Sequence, residues 1–187
     1  MSLESITNEN KEIVVNIRKA KPDDFVGFRE VHYRSWLDTY VNDEIGITKE
    51  DIGKRFENRF SDERLEKYKV MIGQPNIYVL VAMSGDEVIG FADFYVGSTH
   101  NKLRAIYVHP DFIGKKVGIK LWEAGKSFIN PDLPTELEVA SYNQRAIDFY
   151  QKLGFVMTDK PASPPITMPI SGITIPVKVM ELKPLSS

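Results

Sequence analysis

Leu103-Arg104-Ala105-Ile106-Tyr107-Val108-His109-Pro110-Asp111-Phe112-Ile113-Gly114-Lys115-Lys116-Val117-Gly118-Ile119-Lys120-Leu121 is the stretch that decides how this chain folds. Ile106, Tyr107 and Val108 favour a strand. Pro110 has no N–H and ends it. A short loop with Gly114 follows. Val117, Leu121, Ala124 and Phe128 then recur at spacings of four and three, one face of a helix. Gly114 and the two lysines therefore stand where the helix starts. Such a start offers free N–H groups and a partial positive charge, to which Lys115 and Lys116 add two full charges. The reading from residues alone is a strand–loop–helix that holds a phosphorylated cofactor.

Working outward, residues 77–82 are almost wholly apolar, as in a strand covered on both faces. Ser84-Gly85-Asp86-Glu87 is a turn, and residues 88–96 return as the second arm of a hairpin. Residues 102–109 make the third strand of this meander. After the helix, expected over about 113–129, Pro131 and Pro134 force a break. Leu137, Glu138 and Val139 centre another strand. Asn143 is placed to cap a helix whose apolar face is Ala146, Ile147, Tyr150 and Leu153, stopped at Gly154. Residues 155–157 begin a strand, 160–171 form a proline-rich loop, and 173–182 alternate as a last strand. Upstream, residues 13–18 read as a first strand. Three short helices follow, one of them opened by Thr48 with Asp51 three residues on, a capping-box pattern. The order is an α/β (α+β) domain with a mixed sheet of about seven strands flanked by helices. The strand–helix–strand passage from 102 to 140 should be a right-handed crossover. The expected organisation is a frayed segment over 1–12 and one domain over 13–187.

The totals narrow the function. The chain has 187 residues, no cysteine, three histidines without ligand spacing, and a net charge of −2. That excludes disulfides and thiolate chemistry and argues against a metal centre. The charge disfavours nucleic acid as a partner. No apolar run reaches membrane-spanning length and no signal pattern opens the chain, so a cytoplasmic protein without a membrane partner is expected.

Two stretches resemble one known family. Tyr107-Val108-His109-Pro110-Asp111-Phe112-Ile113-Gly114-Lys115-Lys116-Val117-Gly118 is similar to the acetyl-CoA-binding motif of the GNAT superfamily N-acetyltransferases. Leu137-Glu138-Val139 and Asn143-Gln144-Arg145-Ala146-Ile147-Asp148-Phe149-Tyr150-Gln151-Lys152-Leu153-Gly154-Phe155 resemble its second motif, at the family's separation. The likeness extends over roughly 13–183. The family's cofactor motif reads Gln or Arg, two residues, Gly, one residue, Gly or Ala. Here Ile113 stands at the Gln/Arg position, Lys116 at the first glycine, and Gly118 is kept.

The resemblance implies a single GNAT-like acyl-CoA N-acyltransferase fold and acetyl-CoA as cofactor. It implies transfer of the acetyl group to a primary amine by direct attack in a ternary complex. The acceptor class spans small amines, polyamines and peptide N-termini. The pantetheine arm is expected in a gap between the strands at 103–108 and 136–141, on the backbone of Ile106 and Val108 beside Tyr107. Ile113, Gly114, Lys115, Lys116, Val117, Gly118 and Ile119 are expected at the phosphates, with Asn143 and Tyr150 along the arm. Tyr150 matches the family's general acid, and Glu138, flanking the gap, is the candidate base. Trp36 and Tyr40 are candidate walls of the acceptor pocket. Asp38, Asp43, Glu44, Glu50 and Asp51 make that segment acidic, which would draw an amine or polyamine. A homodimer through the C-terminal strands, as in many relatives, is a further expectation. The other reading is a non-catalytic acyl-CoA-binding or sensor domain that kept the fold.

Overall fold

The structure is a computed structural model and describes residues 13–186; the expectation for residues 1–12 lies outside them. In chain order the elements are β1 (Asn16–Lys19), α1 (Phe25–Tyr40), α2 (Lys49–Arg55), α3 (Asp62–Ile72), β2 (Ile77–Ser84), β3 (Glu87–Val96), β4 (Asn101–Val108), α4 (Val117–Gly125), β5 (Thr135–Ala140), α5 (Gln144–Lys152), β6 (Val156–Met157) and β7 (Val177–Leu182). The seven strands form one sheet in the order β1-β2-β3-β4-β5-β7-β6. Neighbours are antiparallel except β4 and β5, the two strands joined through α4. This is the mixed sheet expected from the sequence.

Strand alternation sends side chains to two covered faces. On one face Leu103, Ile106, Val108, Leu137, Val139 and Met180 pack with Val117, Leu121 and Trp122 of α4 and Ile147 and Tyr150 of α5. On the other, Val79, Val81, Phe91, Ala105 and Tyr107 meet Phe25, Phe28 and Val31 of α1 and Tyr68 of α3. A third cluster joins Trp36, Ile52 and Phe56 to Ala140, to Met168 of the proline-rich loop and to Ile175 just after it. The loop is tied down by Asp51. Its Oδ1 accepts the N–H groups of Ile170 and Ser171 at 3.0 and 2.9 Å, while Thr48 and Asp51 complete the capping box. Burial pushes the Asp51 carboxyl up, but the hydrogen bonds from Ser171, Thr48 and Ile170 outweigh it and hold it at about 2.

Three boundaries differ from the sequence reading. The first helix runs sixteen residues, because the stripe from Phe25 to Tyr40 is unbroken. The helix expected over 113–129 starts only at Val117, because Pro110–Phe112 form a 3₁₀ turn and both Gly114 and Lys116 take positive φ. The last strand begins at Val177, since Pro176 has no N–H for the ladder.

β4 and β5 pair only at Asn101↔Thr135 and Lys102↔Glu136, and then diverge. A register shift between β3 and β4 at Asp93/Phe94 leaves Arg104 as an extra residue where the divergence starts. Asn101 pins the closed end. Fully buried, it donates from Nδ2 to the carbonyls of Asn130 and Leu133 at 2.9 and 3.2 Å, and its Oδ1 accepts the Asn130 N–H at 3.0 Å.

Candidate active site

The divergence of β4 and β5 creates a wedge whose walls carry unpaired backbone. His109 donates its N–H to Ile89 of β3 at 2.9 Å. Successive residues of a strand point their N–H and C=O to opposite edges. Tyr107 is therefore turned to β3, and Ile106 and Val108 are turned into the wedge. Ser35 of α1 donates its hydroxyl to the Val108 carbonyl at 2.9 Å and so occupies it, whereas the Val108 N–H, beyond the paired end of β4 and β5, has no strand partner on that side. On the other wall, Ser141 donates its N–H to Pro176 at 2.8 Å, so by the same alternation Glu138 and Ala140 face the wedge.

The wedge opens on the start of α4. By helix geometry the N–H groups of Val117, Gly118 and Ile119 have no intrahelical acceptor. Lys116 caps this start with φ 61°, a left-handed conformation in which glycine is at ease and lysine is strained. That geometry gives a physical reason for glycine at the motif position. Gly118 has a different reason: a Cβ there would lie 3.2 Å from the Phe149 ring of α5. A side chain at residue 118 would therefore push the Phe149 ring back by a few tenths of an ångström.

A cleft of about 320 Å³ runs along this wedge. It is lined by Ile106, Tyr107, Val108, Ile113, Gly114, Lys116, Val117, Gly118 and Ile119 from the β4–α4 side, and by Glu138, Asn143 and Tyr150 from β5 and α5. Tyr40 closes it from α1. Every site residue expected from the sequence lines the cleft except Lys115 and Trp36. Lys115 lies over the Phe112 ring at 4.8 Å, and Trp36 is buried at 3% exposure. Trp36 nevertheless reaches the cleft indirectly. Its indole N–H donates to the Tyr107 hydroxyl at 3.1 Å, and the Tyr40 hydroxyl lies 3.2 Å from the same oxygen.

Asn143 has the capping role foreseen: its Oδ1 accepts the Ala146 N–H at 3.1 Å. Tyr150 sits between the rings of Phe149 and Phe155, with centroids at 5.2 and 5.9 Å. Burial raises its pKa far above that of a free phenol, so its hydroxyl stays protonated. Glu138 borders the cleft and also a second cavity on the opposite face of the sheet, where its Oε1 accepts the Ser163 N–H at 2.9 Å. Arg104, Pro161 and Ala162 line that second cavity too, so the wedge opens to both faces.

Asp38, one of the acids expected to draw an amine, also lines the cleft, as do Ser35, Thr39 and Arg145, to which the sequence reading gave no role. Asp38 of α1 pairs with Arg145 of α5, bridging two walls. Their signal was available: Ser35 and Asp38 share a helix face at i,i+3, and Arg145 lies in the first turn after Asn143. Two of the five acids expected to draw an amine are engaged, Asp38 with Arg145 and Asp51 with the 170–171 turn. His32 is neutral, held near 3 by burial and then by Arg29, Arg55 and Arg64; His109 serves its own turn by accepting the Asp111 N–H.

The residues present fit a coenzyme A thioester. Free strand N–H and C=O groups match an amide-bearing arm, and a helix start with Lys116 matches a pyrophosphate. Comparison with known proteins agrees. Residues 37–163 match the acetyltransferase (GNAT) domain family. A curated relative, the spermidine N(1)-acetyltransferase of Thermoplasma acidophilum, is 27% identical over 154 residues, covering 80% of this chain and 92% of the relative. The crystal structure of the PaiA N-acetyltransferase of Thermoplasma acidophilum in complex with coenzyme A superposes with a TM-score of 0.71 at 24% identity, covering 91% of this chain and 99% of that one. YncA of Salmonella typhimurium, a putative acetyltransferase solved with acetyl-CoA, gives 0.59 at 21% identity, covering 93% and 95%. With the motif match spanning more than half its length, the chain belongs to the GNAT acetyltransferase family.

Proposed function

We propose that this acetyltransferase moves the acetyl group of acetyl-CoA to a primary amine on a small molecule, a polyamine or a peptide N-terminus, by direct attack in a ternary complex. The observation that carries the reading is the wedge itself. The backbone of Ile106 and the N–H of Val108 turn into it beside a cationic helix start, and Tyr150 stands in the same cleft. The curated relative, named for spermidine, supports a small amine as acceptor.

Acetyl-CoA supplies an activated acetyl thioester. The chain's own residues orient and stabilise. Ile106 and Val108 pair with the arm, and the α4 start with Lys116 holds the phosphates. The free Val108 N–H is the donor available to a carbonyl oxygen in the wedge, in the manner of an oxyanion hole. Tyr150 gives its hydroxyl proton to the leaving thiolate. Glu138, which opens onto both faces of the wedge, receives the proton of the attacking amine directly or through water.

The test is thiol release from acetyl-CoA with a panel of polyamines, amino acids and peptides, beside thermal melts with coenzyme A. Release with at least one acceptor is expected. No release with any, together with no stabilisation by coenzyme A, overturns the reading.

A further inference from the structure

Guanidinium groups gather where α1 and α2 pack, with little acidic company. Arg29 lies over the Phe56 ring at 5.3 Å, donates to the Arg59 carbonyl at 3.3 Å, and approaches His32 Nδ1 at 3.3 Å. Arg55 lies over the Trp36 ring at 4.7 Å. Burial, and then repulsion from Arg64, Arg59 and Arg55, pulls Arg29 down to about 10. Arg55 feels burial and Arg64 in the same sense. Among the described residues, no carboxylate forms an ion pair with Arg29, Arg55 or Arg64; Glu30 is shared by Arg34 and Arg59. His32 adds no charge, because it is neutral.

The two stacked arginines lie on the α1–α2 side of the sheet and reach the cleft-lining Tyr107 through one intermediary each: Arg29 approaches His32, whose ring centroid is 5.1 Å from that of Tyr107, and Arg55 covers Trp36, which donates to the Tyr107 hydroxyl. Ile106 and Val108 join the α4–α5 core, whereas Ala105 and Tyr107 turn toward α1 and α3. Arg55 is within electrostatic reach of Tyr107 and Tyr40, whose hydroxyls meet beside the cleft. Glu138 alternates with Leu137 and Val139 and so turns its side chain to the same face as Tyr107. Guanidiniums oriented by ring stacking present their donor forks to an anion in fixed geometry, and carboxylate and phosphate fit that fork. A polycation entering here would meet like charges without counterions.

We propose that Arg29 and Arg55 form an anion-binding site that takes a carboxylate or phosphate group of the acceptor, directing its amine into the β4–β5 wedge. The proposal rests on the acetyl-transfer reading and narrows its acceptor to amines that carry an acidic group.

Matched acceptors test it: β-alanine against propylamine, and O-phosphoethanolamine against ethanolamine, with spermidine as the cationic comparator. The acidic member of at least one pair should show kcat/KM about tenfold or more above its neutral partner. Arg29→Gln and Arg55→Gln should each shrink that ratio to less than about threefold. In a second arm, inorganic phosphate at constant ionic strength should raise the melting temperature of the wild-type chain and not of either variant. That arm reads binding without turnover, and circular dichroism of the variants without phosphate shows that they fold. Preference for the neutral amines or spermidine overturns the proposal, as does preference for the acid in both variants. A phosphate effect that is lost in the variants, without acid preference among acceptors, means a separate anionic ligand and also overturns it. Turnover without acid preference leaves acetyl transfer standing. No turnover with any acceptor removes that reading, and the proposed acceptor site falls with it.

Discussion

Replacing Tyr150 by phenylalanine separates chemistry from architecture. The ring is held between Phe149 and Phe155, and phenylalanine keeps those contacts. Among the described residues no hydrogen bond to the Tyr150 hydroxyl is formed, so its removal strands no partner. The hydroxyl opens on the cleft and is not a buried group without a partner, so stability should stay within about 0.5 kcal/mol of wild type. Coenzyme A affinity, set by backbone and the α4 start, should stay within about threefold. Catalysis should not. An ordinary phenol titrates near 10 and a thiol near 8.5, so full transfer to thiolate is uphill by about 2 kcal/mol. Burial raises Tyr150 further, so the proton must move within the transition state rather than before it. Loss of such a donor lowers kcat by about 10²–10⁴-fold, or roughly 3–5 kcal/mol of barrier. Thiol-release kinetics, coenzyme A titration and thermal melts on the same preparation decide it. A kcat within about threefold of wild type would refute the proton-donor role.

Asp93→Asn should stabilise the fold at alkaline pH. Burial lifts the Asp93 carboxyl to about 6 against the pull of Arg104, so the folded state binds its proton more tightly than the unfolded state. Its favourable contribution is therefore full below about pH 4 and is lost as pH rises through about 6; urea melts should show Asn gaining about 1–3 kcal/mol at pH 8 and little at pH 4. Asn101→Ala should cost about 2–4 kcal/mol in the same melts, because it strands the Asn130 and Leu133 carbonyls and the Asn130 N–H. A smaller loss than about 1 kcal/mol would show that Asn101 does not pin the wedge. Lys116→Gly should be about 1 kcal/mol more stable than Lys116→Ala, since alanine keeps the left-handed strain that glycine relieves. Equal melting temperatures for the two would contradict the strain at this cap.

The sheet was legible because its strands are punctuated. Ser84 to Glu87, Pro110, the prolines at 131 and 134, and Gly154 mark the ends of runs that differ in period, and hydrophobic periodicity reports such changes directly. The start of α4 was misjudged because Ile113 and Val117 share helical spacing, while a left-handed lysine leaves no mark in composition. Most of the cleft was legible for a different reason. Its cofactor side is built from consecutive residues, 106–108 and 113–119, which one strand and one helix start carry together. The rest of the cleft comes from separate elements, with Ser35 and Asp38 on α1 and Arg145 on α5. Its chemistry depends on which charges are neutralised. Asp38 and Asp51 look free in sequence and are engaged in the fold, whereas Arg55 and Arg64 sit among acidic neighbours in sequence and pair with none of them in space.

The central claim is that the cosubstrate lies against the free edge of β4. Residue-resolved amide hydrogen exchange with and without acetyl-CoA measures it most directly. Ile106 and Val108, turned into the wedge, should gain strong protection on adding acetyl-CoA, while Tyr107, already bonded to β3, should change little. Unchanged exchange at Ile106 and Val108 under saturating acetyl-CoA would contradict the account.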